Sequence, residues 1–314
     1  MKMRAMSQDA LGGPEVLTMV ELDRPEPGPA QVLVRVHAAG VNPADWKIRA
    51  SGGHLGQPPF VLGWDVSGVV EEVGSGTTIH KPGDEVFGML PFPFGHGAYA
   101  EYVTAPARAF ARKPAAVDHT RAAAIPLAAL TAWQALVDTA ATRGGDRVLV
   151  HAAAGGVGHF AVQIAKARGA YVVGTASAAK HDFLRGLGAD EVIDYRTEDF
   201  AEVARDMDVV IETMGGEYGR RSLRTLREGG VIVSLTLSLL DPGLHAAAAE
   251  RGIRSEAMLV EADHAGMRSL AALVEAGRLR PEIAAVVPLE DAAKAHELGE
   301  SGGTTGKIVL TVTP

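Results

Sequence analysis

Apolar residues in this chain fall into two successive textures. Up to about residue 118, short β-like runs, Val32 to Ala38, Val66 to Val73, Glu85 to Gly88 and Tyr99 to Val103, are broken by Gly and Pro. That pattern predicts a compact, mainly β domain with specific turn chemistry. Beyond Asp118, helix-like Ala/Leu stretches alternate with short apolar runs at Arg147 to Ala152, Tyr171 to Thr175, Glu191 to Asp194, Val209 to Thr213, Val231 to Leu235 and Ser255 to Val260. Strands that are apolar on both faces and separated by helices predict a parallel sheet covered on both sides. After Ala262 come a helical stretch through Gly277, a second around Asp291 to Gly299, and a strand-like Lys307 to Val312 that is placed to return to the first domain. The expected organisation is α/β: a mainly β domain from residues 1–120 and 262–314, and a doubly wound parallel-sheet domain over 121–261.

Composition narrows the chemistry. The 314 residues are 47% apolar with 37 Gly and only 5% aromatic residues, as in an ordinary globular α/β protein. A formal charge of −8 gives no long-range attraction to nucleic acid or anionic lipid, and neither is an expected partner. The first ten residues, MKMRAMSQDA, carry no apolar leader segment, and no uncharged apolar run approaches the roughly 20 residues that span a bilayer. A cytoplasmic protein is expected. No cysteine is present, so disulfides, thiolate nucleophiles and thiolate metal ligands are all excluded.

The strongest local signal is RVLVHAAAGGVGHFAVQIAKARGAYVVG, residues 147–174. A strand runs into Ala153, Gly155 and Gly158 in the spacing A-x-G-x-x-G, then into a helix with apolar Val157, Ala161, Ile164 and Ala165, then into a second strand. Gly155 permits close approach of a pyrophosphate, and Gly158 permits close helix-to-sheet packing. The exposed N–H groups of the turn Gly155-Gly156-Val157-Gly158 and the helix dipole favour negative charge. A glycine triplet alone equally suits a tight turn without a nucleotide; the flanking strand and helix point to a dinucleotide. Where an NAD-selective protein places an acid at the end of the second strand, this chain reads Thr175, Ala176, Ser177, Ala178, Ala179, Lys180, with no acid until Asp182. A hydroxyl and an ammonium there suit a 2′-phosphate, which makes NADPH the expected cofactor.

The order and spacing of several motifs together resemble the medium-chain dehydrogenases/reductases, specifically the zinc-free branch of quinone reductases and enone (alkenal) oxidoreductases. The motifs are Val41-Asn42-Pro43-Ala44-Asp45, Gly63-Trp64-Asp65-Val66-Ser67-Gly68, Gly97-Ala98-Tyr99-Ala100-Glu101-Tyr102, Leu127-Ala128-Ala129-Leu130-Thr131-Ala132-Trp133, the glycine loop, and Thr305-Gly306-Lys307-Ile308-Val309. The resemblance covers nearly the whole chain. It implies a GroES-like catalytic domain built from both chain ends, with a Rossmann domain between them. It also implies that Ser177, Lys180 and Tyr195 grip the adenosine 2′-phosphate, and that Thr131 lies near the cofactor phosphates and nicotinamide. Thr213, Leu235 and Thr236 match loops at the carboxyl ends of later strands, and Thr305 and Lys307 match a segment at the nicotinamide end.

Zinc enzymes of this fold hold a catalytic metal by cysteines and by the histidine of a Gly-His-Glu motif; here that motif reads Gly63-Trp64-Asp65. Eleven His are present, and a combination such as His96 with Glu101 is open to folding, but no H-x-x-x-H pair occurs. No metal is expected. Hydride transfer to the β-carbon of an enone, or to a quinone, needs little acid/base help, and Asn42 and Lys47 are the expected donors to substrate or nicotinamide ribose. Asn42 before Pro43 also suits a turn, and Lys47 also suits a surface. Family quinone reductases often carry Tyr where Lys47 stands, which tilts the expectation towards an activated carbon–carbon double bond. Asp45, Trp64, Met89 and Phe94 are candidate pocket residues. One-electron quinone reduction and a non-catalytic NADPH-binding role are the alternatives. The sixth strand is expected at a sheet edge, where pairing would make a homodimer.

Overall fold

In the computed structural model, which describes residues 1–235 and 242–313, the chain divides into two units, Met1–Leu130 with Glu261–Pro314, and Thr131–Val260. The first unit opens with β1 (Lys2–Gln8), β2 (Thr18–Asp23), β3 (Gln31–Val41), α1 (Pro43–Ser51), β4 (Phe60–Val61), β5 (Asp65–Val73), β6 (Glu85–Met89), β7 (Tyr102–Pro106) and β8 (Phe110–Arg112). α2 (His119–Ala123) and α3 (Pro126–Trp133) then lead the chain into the second unit.

β3 organises the first unit. It pairs with β5 along one edge; along the other it pairs with β7 over its first half and with the C-terminal strand over its second. Residues on both faces of β3 are buried, from Val32 to Val34 and from Ala38 to Val41. That is why this run carries few polar residues. The unit extends to Leu130, beyond the expected residue 120, because α2 buries Ala123 and Ala124 against Ala38 of β3 and Val309. The segment at Tyr99, expected as a strand start, instead turns its ring wholly into the core, and β7 begins only at Tyr102. Its backbone bonds singly, accepting from Met6 and donating to Leu62.

The second unit runs β9 (Arg147–Val150), α4 (Gly158–Ala167), β10 (Tyr171–Ala176), α5 (His181–Gly186), β11 (Glu191–Asp194), α6 (Phe200–Val203), β12 (Met207–Glu212), α7 (Glu217–Ser222), β13 (Leu226–Ser234), α8 (Pro242–Glu250) and β14 (Arg254–Ala257). All neighbouring strands are parallel, in the order β11-β10-β9-β12-β13-β14. The order reverses beside β9, which gives the doubly wound sheet that strand, helix, strand repetition predicts. Leu149, Val173, Val210 and Ile232 form one face and pack on Phe200, Leu223, Leu244 and Ala248.

The chain returns through α9 (His264–Glu275), β15 (Ile283–Pro288), α10 (Ala292–Glu300) and β16 (Lys307–Thr311), which joins β3 antiparallel. Among the described residues no helix is long and apolar enough to cross a membrane.

Gly40 marks a close approach of β3 to α2 and β5 in the first unit. A Cβ there would lie 2.5 Å from the Ala123 carbonyl oxygen and 2.6 Å from Asp65 Oδ2. Gly40→Ala is expected to cost on the order of 2 kcal/mol, read as a fall of several degrees in thermal midpoint; an unchanged midpoint would refute this packing.

Candidate functional site

In the first unit, the turn from β3 into α1 brings the expected donors to a buried polar cluster. Asn42 is the N-cap of α1 and Pro43 its first residue, where a missing N–H costs nothing. The Asp45 carboxylate reaches back to accept from the Asn42 backbone at 2.6 Å. The Asn42 side chain is held at both ends: Nδ2 donates to Asp65 Oδ2 at 2.8 Å, and Oδ1 accepts from Lys307 Nζ. Lys307 also donates to the Val41 carbonyl at 2.9 Å and pairs with Asp65 Oδ2 at 3.5 Å. Asp65 Oδ1 takes the Leu127 amide at 2.6 Å.

Lys307, expected at the nicotinamide end, therefore has its three donors committed inside this unit. Burial pushes the Lys307 ammonium down and the Asp65 carboxyl up, each opposed by the other's charge. Asn42 is itself buried, with one Nδ2 hydrogen left beyond the bond to Asp65. Lys47 lies exposed on α1.

Behind this cluster runs a second chain of polar groups. Arg49, 2% exposed, donates Nη1 to His296 Nδ1 at 3.1 Å and Nη2 to Glu300 at 2.8 Å. Because Nδ1 accepts, His296 carries its proton on Nε2, which faces the Tyr99 hydroxyl at 3.2 Å. Burial, with Arg49 beside it, holds His296 down to about 3, so the ring is neutral. Tyr99 also faces Asp45, and burial with that carboxylate raises the phenol well above its usual value. Asp45 is pushed up to about 7, chiefly by burial, with Asp65 adding to it.

The expected pocket residues divide. Trp64 and Met89 are fully buried, and Phe94 is 75% exposed. His54 contacts both Trp64 and Phe94, with ring centroids 6.3 and 5.8 Å away. The Trp64 indole Nε1 is buried without an acceptor. Thr305 is half-buried just before β16. His96 bonds the Val61 carbonyl and Glu101 bonds Arg4, so these two do not meet as a ligand pair. Among the described residues no group of three His, Asp or Glu stands close enough to hold a metal.

In the second unit, β9 ends in the glycine loop. A Cβ on Gly158 would lie 2.4 Å from the Ala152 carbonyl oxygen and 2.7 Å from the Ala153 Cα, so only glycine lets α4 start this close to the sheet. The amides of Gly156, Val157 and Gly158 stand at the start of α4, where helical N–H groups have no intrahelical acceptor. Gly155 N–H closes the turn onto Ala152 at 2.8 Å. β10 and β11 end side by side, Ala176 opposite Asp194, and Ser177 and Tyr195 are the first residues beyond those ends. The Lys180 amide bonds the Ser177 carbonyl at 2.9 Å. Asp182, the first acid, is exposed and pairs with Arg185 at 3.0 Å. Thr131 is buried, Tyr195 is half exposed with Arg196 over its ring, and Leu235 is half-buried after β13. Thr236 lies outside the described residues.

Two residues that sequence reasoning passed over stand at the ends of the central strands. The Glu212 carboxylate accepts the Met214 and Gly215 amides at 2.5 and 2.7 Å, and so shapes the loop that begins at Thr213. His151 is 0% exposed and bonds Thr175 and Ser222. Their signal in the sequence was a charged or titratable residue at the end of an otherwise apolar strand.

Comparison with known proteins agrees with this architecture. Residues 28–115 match the alcohol dehydrogenase GroES-like domain, and residues 187–310 match the zinc-binding dehydrogenase family. Human quinone oxidoreductase is 34% identical across 98% of this chain and 97% of its own length. The 2-haloacrylate reductase of a Burkholderia species is 35% identical across 95% and 96%. The structure of a quinone oxidoreductase from Coxiella burnetii superposes with a TM-score of 0.93 at 38% identity, covering 100% of both chains.

Asp45 gives this unit a pH signature. Between the ordinary carboxylate value, about 3.9, and about 7 the folded chain holds a proton that the unfolded chain has lost. Its contribution is therefore most favourable below pH 4 and is lost as pH rises through 7. Asp45→Asn keeps an acceptor for the Asn42 amide and removes the titration. The variant is expected to gain on the order of 2–4 kcal/mol over wild type at pH 8 and nothing at pH 4. Denaturant unfolding across that range checks it, and a wild-type-to-variant difference that stays flat counts against it.

Proposed function

Since the chain belongs to the quinone oxidoreductase branch of the medium-chain dehydrogenase/reductase family, we propose that it is an NADPH-dependent reductase acting on an activated carbon–carbon double bond of an enone or alkenal, or on a quinone, without a metal. The observation that supports the cofactor choice is the end of β10, where Ser177 and Lys180 follow the strand and the first acid after it, Asp182, is paired with Arg185. A 2′-phosphate gains a hydroxyl and an ammonium there.

The donor set argues against a catalytic zinc. The chain has no cysteine, Trp64 stands at the histidine position, and the neighbouring Asp65 carboxylate is committed to Asn42, Lys307 and the Leu127 amide. Zinc requires three or four tetrahedral ligands, and none of these groups is available as one.

NADPH, when bound, supplies the hydride. The residues of this chain then have to orient the acceptor and stabilise negative charge on its oxygen. Asn42 offers its remaining Nδ2 hydrogen and Lys47 its ammonium. Relatives named for quinone and for 2-haloacrylate reduction support both acceptor classes; an acrylate is an activated carbon–carbon double bond.

Absorbance at 340 nm with a small enone and a quinone in parallel, with NADPH and NADH, with and without a chelator, tests the reading. Expected is chelator-insensitive oxidation that prefers NADPH. Lys180→Ala should raise KM for NADPH about tenfold while leaving KM for NADH within a factor of two. Loss of activity with chelator, or equal effects on both cofactors, defeats the proposal.

We also propose a homodimer joined through β14, which lies at the edge of the parallel sheet with unpaired backbone groups on its outer side. Light scattering at micromolar concentration should give twice the 32.7 kDa chain mass; a mass of one chain rules it out.

A further inference from the structure

We propose that His151 is a positioning residue for the dinucleotide: held by Ser222 on one side and Thr175 on the other, it fixes the glycine loop and the Thr213–Gly215 loop in a common frame. The proposal rests on the cofactor reading above and goes beyond it, because His151 is 0% exposed inside the sheet domain and acts through the loops it holds.

The strand register builds the frame. Val150 lies opposite Gly174 on one side and Ile211 on the other, and Ile211 lies opposite Val233. One residue further, Thr175, His151, Glu212 and Ser234 form a row across the carboxyl edge of the four central strands. Alternation puts this row on the same face as Leu149, Val173, Val210 and Ile232, two residues earlier. A polar layer thus closes the top of an apolar core.

Hydrogen-bond direction in the layer is determined. Ser222 gives its hydroxyl proton to the Tyr218 carbonyl at 2.6 Å, so it accepts from His151 Nε2–H at 2.9 Å. The imidazole Nδ1 is then an acceptor and takes the Thr175 hydroxyl at 3.3 Å. Thr175 Oγ1 in turn accepts the Ala152 amide at 3.2 Å. The series begins on α7, passes through the ring and ends on the backbone of the glycine loop. The second loop joins through Thr213, whose hydroxyl donates to the His151 carbonyl at 3.1 Å.

Ala152 is the residue that most needs to be held. Its φ is +46°, the left-handed region that a non-glycine residue occupies at a cost. Its carbonyl receives the Gly155 amide, and the same oxygen is the one a Cβ on Gly158 would strike. A shift of Ala152 therefore moves the whole turn whose amides face the pyrophosphate. The ring that anchors it cannot easily rotate: it lies edge-on to Phe200 at 4.5 Å and to Tyr218 at 5.7 Å. Arg221 covers both of those rings and is tied to Asp199 at 2.7 Å. Pre-forming the loop in this way removes ordering cost from binding.

The test measures NADPH binding by fluorescence or calorimetry alongside thermal midpoints. His151→Phe keeps the aromatic packing and removes both hydrogen bonds; it is expected to raise the NADPH Kd about tenfold, with kcat at saturation changed less than threefold. Ser222→Ala, one side chain removed from the loop, should raise Kd about threefold, and His151→Gln, which restores a donor towards Ser222, should recover part of the loss. Thr225→Val is the structural control: its hydroxyl bonds the Ser222 carbonyl at 2.8 Å, outside the layer, so it should lower the midpoint with Kd unchanged. Unaltered Kd in both His151→Phe and Ser222→Ala, or an equal rise in Thr225→Val, overturns the positioning role. If His151→Phe fails to fold, Ser222→Ala against Thr225→Val decides. Wild-type protein that binds no NADPH defeats the cofactor reading itself.

Discussion

The buried ammonium of Lys307 is the contact on which the first unit depends. It comes from the last strand of the chain, yet its three partners are the Val41 carbonyl, Asn42 and Asp65, more than 240 residues earlier. Each partner begins or ends an element: Val41 closes β3, Asn42 caps α1, and Asp65 opens β5. Asp65 in turn holds the Leu127 amide at the start of α3. One cation thus joins both chain ends to a helix start and a strand start. Its geometry is enforced by cost, since a buried charge deprived of its partner destabilises by about 3–5 kcal/mol. With β16 bonded along the second half of β3, the returning segment can sit in one register only.

The second unit reaches a similar end by neutral groups. Its strands are apolar for most of their length and are placed by burial alone, which fixes the sheet but not the loops above it. Polar side chains within one residue of the ends of the central strands supply what burial cannot. Thr175 holds an amide of one loop and Glu212 holds two amides of another. His151 is kept neutral by burial, with Arg221 adding to the effect, its pKa pulled down to about 4. An uncharged imidazole can accept at one nitrogen and donate at the other, and a protonated one could not accept.

What was legible in the sequence follows from range. The parallel strands and the glycine loop could be read because their evidence is local: apolar runs of four to nine residues, and a turn whose glycines lie within a dozen positions. The Gly158 contact with Ala152 is six residues long. The expectation of Lys307 at the nicotinamide end rests on the resemblance of the closing segment, and no local pattern reveals its partners at the other end of the chain. Asp45 was read as a loop residue or pocket wall, although its carboxylate faces Tyr99, which is itself bonded to a histidine 197 positions away. His151 sat inside the strongest motif and was still passed over, since Ser222 is 71 residues downstream. One rule would have found several of these buried charges. Lys307, Asp65 and Glu212 each stand at the first or last position of an apolar strand, where a charge is buried and must have a partner.

Most buried donors of the first unit are already committed within it: Lys307 to three acceptors, Arg49 to Gly12, His296 and Glu300, and Nε2 of His296 to Tyr99. Among the described residues, one hydrogen of Asn42, the indole N–H of Trp64 and the exposed Lys47 ammonium are outside that network. Stabilising a localised alkoxide without a metal would demand strong donors converging on one oxygen. A conjugated acceptor spreads its charge over several atoms as hydride arrives, and an electron-poor double bond or quinone already lowers the barrier that the protein must address. On the proposed reading, Asn42 and Lys47 would serve that second kind of acceptor, with orientation supplying most of the remaining catalysis.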